Sequence, residues 1–216
     1  MKTTLIIVRH GNTFSKGEIP TRIGCRTDLP LIETQRAESI ANYLLENNLI
    51  PDTIFSSPLK RCVETANIIK NSVGYSGKIQ LQHNFTEIDY GIDENKTEEA
   101  VELRLGNNDR EKGKLIIENW NKNAIVPNGW IVDVPKIIDN WKAFANNILQ
   151  NECGKVSLLV SSNGIIRFAP YLTENFEEFS SKNDLKVATG GICIFEKNND
   201  NSPYWECKGW NGKKAL

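Results

Sequence analysis

The stretch Leu5-Ile6-Ile7-Val8-Arg9-His10-Gly11-Asn12-Thr13 decides how this 216-residue chain is read. Leu5 to Val8 are apolar and mostly β-branched, as in a strand buried on both faces, and residues 3–8 are read as that strand. Polarity then changes within one residue, to an arginine, one of the chain's two histidines and a glycine. In α/β folds ligands bind at the carboxyl ends of strands, so this strand would deliver an imidazole and a guanidinium to such a place.

Working outward, residues 9–32 read as a long loop with Gly, Pro and Arg. Ala37, Ile40, Ala41, Leu44 and Leu45 recur at helical spacing and predict an amphipathic helix over 33–49. Asp52-Thr53-Ile54-Phe55 predicts a short strand ending at Ser56-Ser57-Pro58. A helix with Leu59, Cys62, Val63, Ala66 and Ile69 inward follows, then a third strand over Ile79 to Leu81. Residues 84–132 are the least regular part, with a helix expected within 97–122. The segment is read as a partial cap or lid inserted in one domain of residues 1–216. Val134, Ile137, Ile138, Trp141, Ala145 and Ile148 predict a helix over 134–149, with Gly154 as a stop just beyond it. Val156 to Val160 reads as a buried strand, followed by Ser161-Ser162-Asn163-Gly164 and a short helix. Gly191 to Glu196 and Tyr204 to Lys208 suggest a closing strand pair, with Asn198-Asn199-Asp200-Asn201 as its turn. Alternating strands and helices give an α/β class with a mainly parallel sheet.

The formal net charge of −1 gives no global field for nucleic acid or acidic membranes. No apolar run approaches the ~20 residues that span a bilayer. Met1 to Thr4 lead straight into a strand, with no room for a signal peptide. Cys25, Cys62, Cys153, Cys193 and Cys207 are scattered and odd in number, so they are read as reduced thiols of a cytoplasmic protein, forming neither a disulfide framework nor a zinc site.

The strand-end rule gathers three segments at one site: Arg9 to Thr13, Ser56 to Arg61, and Ser161 to Gly164. Arginine presents a planar fork of donors matched to phosphate oxygens, and helix N-termini add backbone N–H groups. A neutral imidazole can attack phosphorus to give a phosphohistidine that water then cleaves. The leaving oxygen needs a proton, and Glu87 is a candidate donor. Arginines supply the positive charge, so neither a metal nor another cofactor is called for. Singly, each residue has a plainer reading: a hydrogen-bonded turn for His10, surface ion pairs for Arg9 and Arg61, a solvated carboxylate for Glu87, and helix caps for the serines. His83 reads as an ordinary surface residue. Joint placement at strand ends favours phosphate chemistry.

Five segments, in order along nearly the whole chain, together resemble the histidine phosphatase superfamily, which includes the cofactor-dependent phosphoglycerate mutases. Leu5 to Thr13 resembles its R-H-G-x-[ST] signature. Gly24 to Leu31 resembles G-x-x-D-x-P-L, and Ser56 to Arg61 with Glu64-Thr65-Ala66 resembles S-S-P-L-x-R-x-x-x-T-A. Phe85 to Gly91 resembles L-x-E-I-x-x-G, and Val160 to Arg167 (VSSNGIIR) resembles V-S-H-G-G-V-I-R. The resemblance implies a three-layer α/β/α fold with a mixed sheet. It implies His10 as phosphorylated nucleophile, Glu87 as proton donor, and Arg9 and Arg61 as phosphate ligands. Asn12, Ser162 and Asn163 are expected around the same phosphoryl group.

One departure stands out. Ser162 occupies the position of the second family histidine, and Asn163 that of the next glycine. Losing one charge-assisted donor would cost about 2–4 kcal/mol of transition-state stabilisation, or about thirtyfold to a thousandfold in rate. The Asn163 amide or Lys16 could offset part of this. Pro127-Asn128-Gly129-Trp130 and Asp93-Glu94-Asn95 also depart from the family runs, and Trp130 would either line the substrate pocket or pack the lid on the core. The first expectation is a metal-independent phosphomonoesterase acting on a small phosphorylated metabolite, with neither nucleic acid nor membrane as partner and the oligomeric state left open. A family member that binds a phosphorylated ligand without turnover comes second, and a mutase third.

Overall fold

Residues 1–198 and 202–214 are described by the structure, a computed structural model. The first strand, β1 (Lys2–Arg9), is followed by β2 (Thr53–Ser56), β3 (Gln80–Leu81), β4 (Val156–Ser161), β5 (Ile192–Asn198), β6 (Glu206–Trp210) and β7 (Lys213–Lys214). Among the described residues they form one seven-stranded sheet, ordered β3-β2-β4-β1-β5-β6-β7. The first four strands in that order pair in parallel; β5, β6 and β7 extend the sheet antiparallel from β1.

Alternation along the strands explains the layers. Leu5 and Ile7 pack into one core with Phe55, Leu159 and Phe195, while Ile6 and Val8 pack into another with Ile54, Leu158 and Val160. Both sheet faces are therefore covered, which is why β1 reads as a continuous apolar run rather than an alternating one. The second core is closed by α1 (Gln35–Glu46) and α2 (Lys60–Ser72), through Ile40, Leu44, Cys62 and Ile69. The first is closed by α5 (Val134–Asn151), whose Ile137, Trp141, Phe144, Ala145 and Ile148 face inward. The result is the three-layer α/β/α architecture with a mixed sheet.

The segment 84–132 is more regular than its composition suggests. It contains α3 (Glu98–Leu105) and α4 (Arg110–Asn123) in place of one helix. Gly113 lies so close to α3 that a Cβ there would meet the Glu102 carbonyl at 1.8 Å. Helix pairing at that distance requires glycine, a reason the hydrophobic pattern does not display. Thr97 and Asp109 cap the two helices through their side-chain oxygens. The segment is tied to the 9–32 loop by a bridge between Thr21 and Thr97 and by the Gly24 N–H donating to Glu94 Oε1 at 2.9 Å.

Other sequence expectations shift in detail. Leu45 is 43% exposed, because Leu44 already fills the inward position at the end of α1. The second closing strand starts at Glu206 rather than Tyr204, since the Trp205 N–H donates to the Leu172 carbonyl instead of the sheet. Gly154 lies just beyond α5 with φ of +79°. A short α6 (Asn163–Ile166) follows β4, and α7 (Phe176–Lys182) comes before β5. Of the expected Asn198 to Asn201 turn, residues 199–201 lie outside the described residues. Among the described residues, no helix is long and apolar enough to cross a membrane.

Candidate active site

Parallel register places the three strand ends side by side. Arg9 is opposite Ser161, and Ser56 is opposite Val160. The pairing continues one residue beyond the strands: His10 N–H donates to the Ser161 carbonyl at 3.1 Å, and Ser57 N–H to the Val160 carbonyl at 2.9 Å. The turn after β1 is locked to α2 because Gly11 N–H donates to Thr65 Oγ1 at 3.1 Å, and that hydroxyl donates to the Arg61 carbonyl at 2.7 Å.

His10 is buried, with Nδ1 2.8 Å from the carbonyl oxygen of its neighbour Gly11. A carbonyl can only accept, so Nδ1 carries the proton and, in the neutral ring, Nε2 holds the free lone pair. Burial, reinforced by the positive charges of Arg9 and Arg61, holds this imidazole well below the ordinary histidine value. The ring is thereby held toward its neutral form, with Nε2 as the nitrogen that carries the free lone pair.

The guanidinium groups of Arg9 and Arg61 are held by main-chain carbonyls rather than by acids. Arg9 Nη1 donates to Val187 O at 2.6 Å; Arg61 donates from Nη1 to Thr27 O at 2.9 Å and from Nη2 to Gly24 O at 3.3 Å. Arg9, Arg22, Arg61 and Arg167 each bury an Nε–H with no hydrogen-bond partner. Leaving a buried donor unpaired costs about 1–3 kcal/mol, more for a charged group; three of these four arginines, Arg9, Arg22 and Arg167, line one cavity.

Glu87 is also buried. Its Oε1 accepts from the Ile88 N–H at 2.9 Å, and its Oε2 from the Gly164 N–H at 3.2 Å. Asn12 Oδ1 accepts from the Thr189 hydroxyl at 2.9 Å, and its own N–H donates to Glu33 Oε1 at 3.2 Å. Asn163 Oδ1 accepts from the Val187 N–H at 2.8 Å, which leaves its Nδ2 amino group as the remaining side-chain donor.

Arg9, His10, Asn12, Glu87 and Asn163 line one cavity of about 1190 Å³. Arg61 and Ser162 are fully buried and are not among its lining residues. Ser162 sits with its hydroxyl 3.7 Å from the Cys62 sulfur. Lys16 and Lys186 line the same cavity. Trp130 does not; its ring packs edge-on against Tyr90 and Trp120, and its Nε1–H donates to Asp93 Oδ2 at 2.7 Å. His83 is exposed.

Sequence reasoning assigned no role to Arg22, Tyr90, Trp120 or Arg167, all of which line the cavity. One signal was available for Arg167. It stands four residues after Asn163, one helical turn on, so the same face of that turn carries both.

Residues 5–212 match the family model described as histidine phosphatase superfamily (branch 1). A mycobacterial glucosyl-3-phosphoglycerate phosphatase superposes with a TM-score of 0.74 at 17% identity, covering 99% of this chain and 100% of that one. A phosphoserine phosphatase mutant from Entamoeba histolytica, solved with phosphoserine, gives 0.70 at 21%, with 99% of both chains covered. A phosphoglycerate mutase from Bacillus anthracis gives 0.74 at 20%, over 98% of this chain and 93% of that one. The transcription factor tau 55 kDa subunit of Saccharomyces cerevisiae is 39% identical over 72 residues, which are 31% of this chain and 17% of that protein. The chain thus spans about a sixth of the length of that curated relative. With a family model matched from the first strand nearly to the end of the chain, and whole-chain structural likeness to members of differing activity, the chain belongs to the histidine phosphatase superfamily.

Proposed function

We propose that the protein is a phosphomonoesterase for small phosphorylated metabolites that works through a phosphohistidine at His10. The observation that carries this is the His10–Gly11 hydrogen bond, which presents a neutral imidazole with Nε2 unprotonated beside two guanidinium groups. In the first step Nε2 attacks phosphorus, the ester P–O bond breaks, and Glu87 gives its proton to the departing alkoxide. In the second step water attacks phosphorus, Glu87 takes the water proton, and the N–P bond breaks to release inorganic phosphate. Arg9, Asn12 and Asn163, which line the cavity, are assigned to the phosphoryl oxygens, and Arg61, whose charge reaches His10, to the positive potential around them; Ser162, expected at the same group, meets Cys62 instead.

In this reading the protein is one domain with 84–132 as a partial lid; Glu87, Tyr90, Thr97, Arg110, Ile117 and Trp120 bring that segment to the cavity wall. We assign it to a reducing, cytoplasmic compartment, a reading supported by its five scattered cysteines. Hydrolysis of 4-nitrophenyl phosphate by the wild type and by His10→Ala tests the proposal. The expected result is turnover that disappears in the variant, with a covalent phosphoryl adduct trapped on His10 by rapid quench. Equal rates in the two proteins would sink it.

A second reading, a phosphate-binding member without turnover, is favoured by one observation. The Ser162 hydroxyl meets Cys62 and is not among the cavity lining, so the position of the second family histidine offers the phosphoryl group little. Tight phosphate or tungstate binding with no turnover of any phosphomonoester would select it.

A further inference from the structure

The segment 183–191, between α7 and β5, has no regular secondary structure, so each of its buried polar backbone groups needs a partner of its own. Several of those partners belong to the candidate site. Val187 is fully buried and uses both of its peptide groups: its carbonyl accepts from Arg9 Nη1 at 2.6 Å, and its N–H donates to Asn163 Oδ1 at 2.8 Å. The Gly190 N–H is shared between the carbonyls of Arg9 and His10, at 3.1 and 3.2 Å. This strap is tied down from outside the cavity by the turn between β6 and β7. Asn211 and Gly212 make a two-residue hairpin loop with φ of +55° and +76°, values that asparagine and glycine adopt most readily. Asn211 does more than turn the chain. Its Oδ1 accepts from the Ala188 N–H at 2.8 Å. Gly191 makes room for that oxygen, since a Cβ there would meet it at 2.4 Å. The neighbouring Trp210 Nε1–H donates to the Asp184 carbonyl at 2.7 Å, a second tie from the same hairpin to the same strap. Asn211 itself is not among the residues that line the cavity.

We infer that Asn211 is a positioning residue for the phosphoryl site: through Ala188 it sets the place of the Val187 peptide groups, and through them the aim of Arg9 and Asn163. The inference rests on the phosphatase reading for what those two side chains hold, and adds what holds them. Its leverage is geometric. Arg9 and Asn163 share one anchoring residue, so a displacement of Val187 moves both. The Ser162 hydroxyl is turned to Cys62, which leaves the Asn163 amino group as the donor this end of α6 offers and makes its aim matter more. The turn alone does not require asparagine, because glycine satisfies a positive φ equally well. The side-chain oxygen is what glycine would lack.

The test pairs Asn211→Gly, which keeps the positive φ and removes the acceptor, with Asn211→Asp, which keeps both. Thermal unfolding first establishes that the variants are folded. On 4-nitrophenyl phosphate, Asn211→Gly should lose about tenfold to a hundredfold in kcat/KM, the range for catalytic groups misplaced by about 1 Å. Asn211→Asp should stay within about threefold of wild type, because its carboxylate still accepts from Ala188. Made in Asn163→Ala, the Asn211→Gly change should cost at least about threefold less than in the wild type, since one of its two targets is already gone. Equal losses in the two backgrounds would mean that the turn acts on general stability, and would overturn the inference. If the wild type hydrolyses the ester and folded Asn211→Gly stays within about threefold of it, the positioning role is wrong and the phosphatase reading stands. Should Asn211→Gly fail to fold, Asn211→Asp decides: a folded protein with less than about a tenth of wild-type kcat/KM would overturn the acceptor role. Calorimetric binding of inorganic phosphate reads the same site without turnover. In a protein that hydrolyses nothing, phosphate binding weakened about fivefold or more by Asn211→Gly would keep the positioning role and remove the phosphatase reading; unchanged binding would remove both.

Discussion

Gly164 donates its backbone N–H to Oε2 of Glu87 at 3.2 Å, and a Cβ at Gly164 would come within 2.3 Å of Oε1 of the same carboxylate. The glycine thus both orients the proposed proton donor and leaves it room. Gly164→Ala should displace Glu87 and lower kcat by about tenfold to a thousandfold, in the range typical for a misplaced general acid. The leaving group provides the discriminating readout. An alkyl phosphate, whose alkoxide needs the proton, should lose far more than 4-nitrophenyl phosphate, whose phenolate leaves without it. Glu87→Gln should show the same asymmetry. Equal losses on the two esters would mean that Glu87 is not the acid.

The hydrogen bond from His10 Nδ1 to Gly11 O, together with burial beside Arg9 and Arg61, sets a pH prediction. In the unfolded chain His10 binds a proton near ~6.5; in the folded protein it does so only at a value well below this. Between the two values the unfolded state holds more protons. The contribution of His10 to stability is therefore full above ~6.5 and is lost as pH falls through the lowered value. Proton NMR of the imidazole C2–H, assigned by its absence in His10→Ala, should show the neutral ring at pH 6. Arg9→Gln should move the titration part of the way back, since burial is the larger cause and remains. Titration of His10 near 6.5 in the wild type would contradict this.

How much of this was legible beforehand depends on the residue. Leu5 to Val8 announced a strand buried on both faces, and from it the sheet, the layers and the position of His10 followed. Helix periodicity located α1, α2 and α5 within a few residues. The 84–132 segment resisted because its helices are held by close backbone contact at Gly113 and by capping at Thr97 and Asp109, features that carry no hydrophobic period. Within the candidate site, residue type singled out His10, Arg9 and Glu87, and all three line one cavity. It could not show that Ser162 faces a thiol, or that Arg167 lies over the Trp120 ring. Those depend on which neighbour each side chain meets across the sheet.

Trp130 ties the 84–132 segment together internally through Asp93. Asp93 is buried, accepts from Trp130 Nε1 at 2.7 Å and is gripped by Arg104 through Nε at 2.6 Å and through Nη2. Trp130→Phe keeps an aromatic ring against Tyr90 and Trp120 and removes only the donor to a charged acceptor. It should destabilise the protein by about 1.5–3 kcal/mol, read as a lower denaturant midpoint. Trp130→Ala should cost about 3–5 kcal/mol. Because the ring is absent from the cavity lining, Trp130→Phe should leave KM within about threefold of wild type; a KM increase of tenfold or more would place the ring against substrate instead.

Ser162 and Cys62 are both fully buried, with the hydroxyl 3.7 Å from the sulfur. Introducing an imidazole by Ser162→His overfills this part of the second core and should cost about 1–3 kcal/mol of stability. Removing the facing sulfur with Cys62→Ala makes room, so Ser162→His with Cys62→Ala should regain part of that loss. The catalytic prediction belongs to this double variant. If the absent imidazole limits phosphoryl transfer, its kcat should exceed that of Cys62→Ala alone by about thirtyfold or more, the rate equivalent of one restored charge-assisted donor. Two assays decide it: thermal unfolding to establish that the variants are folded, and single-turnover kinetics to isolate the chemical step. A folded double variant no faster than Cys62→Ala would show that Asn163, Lys16 and the arginines already supply what the family histidine supplies elsewhere.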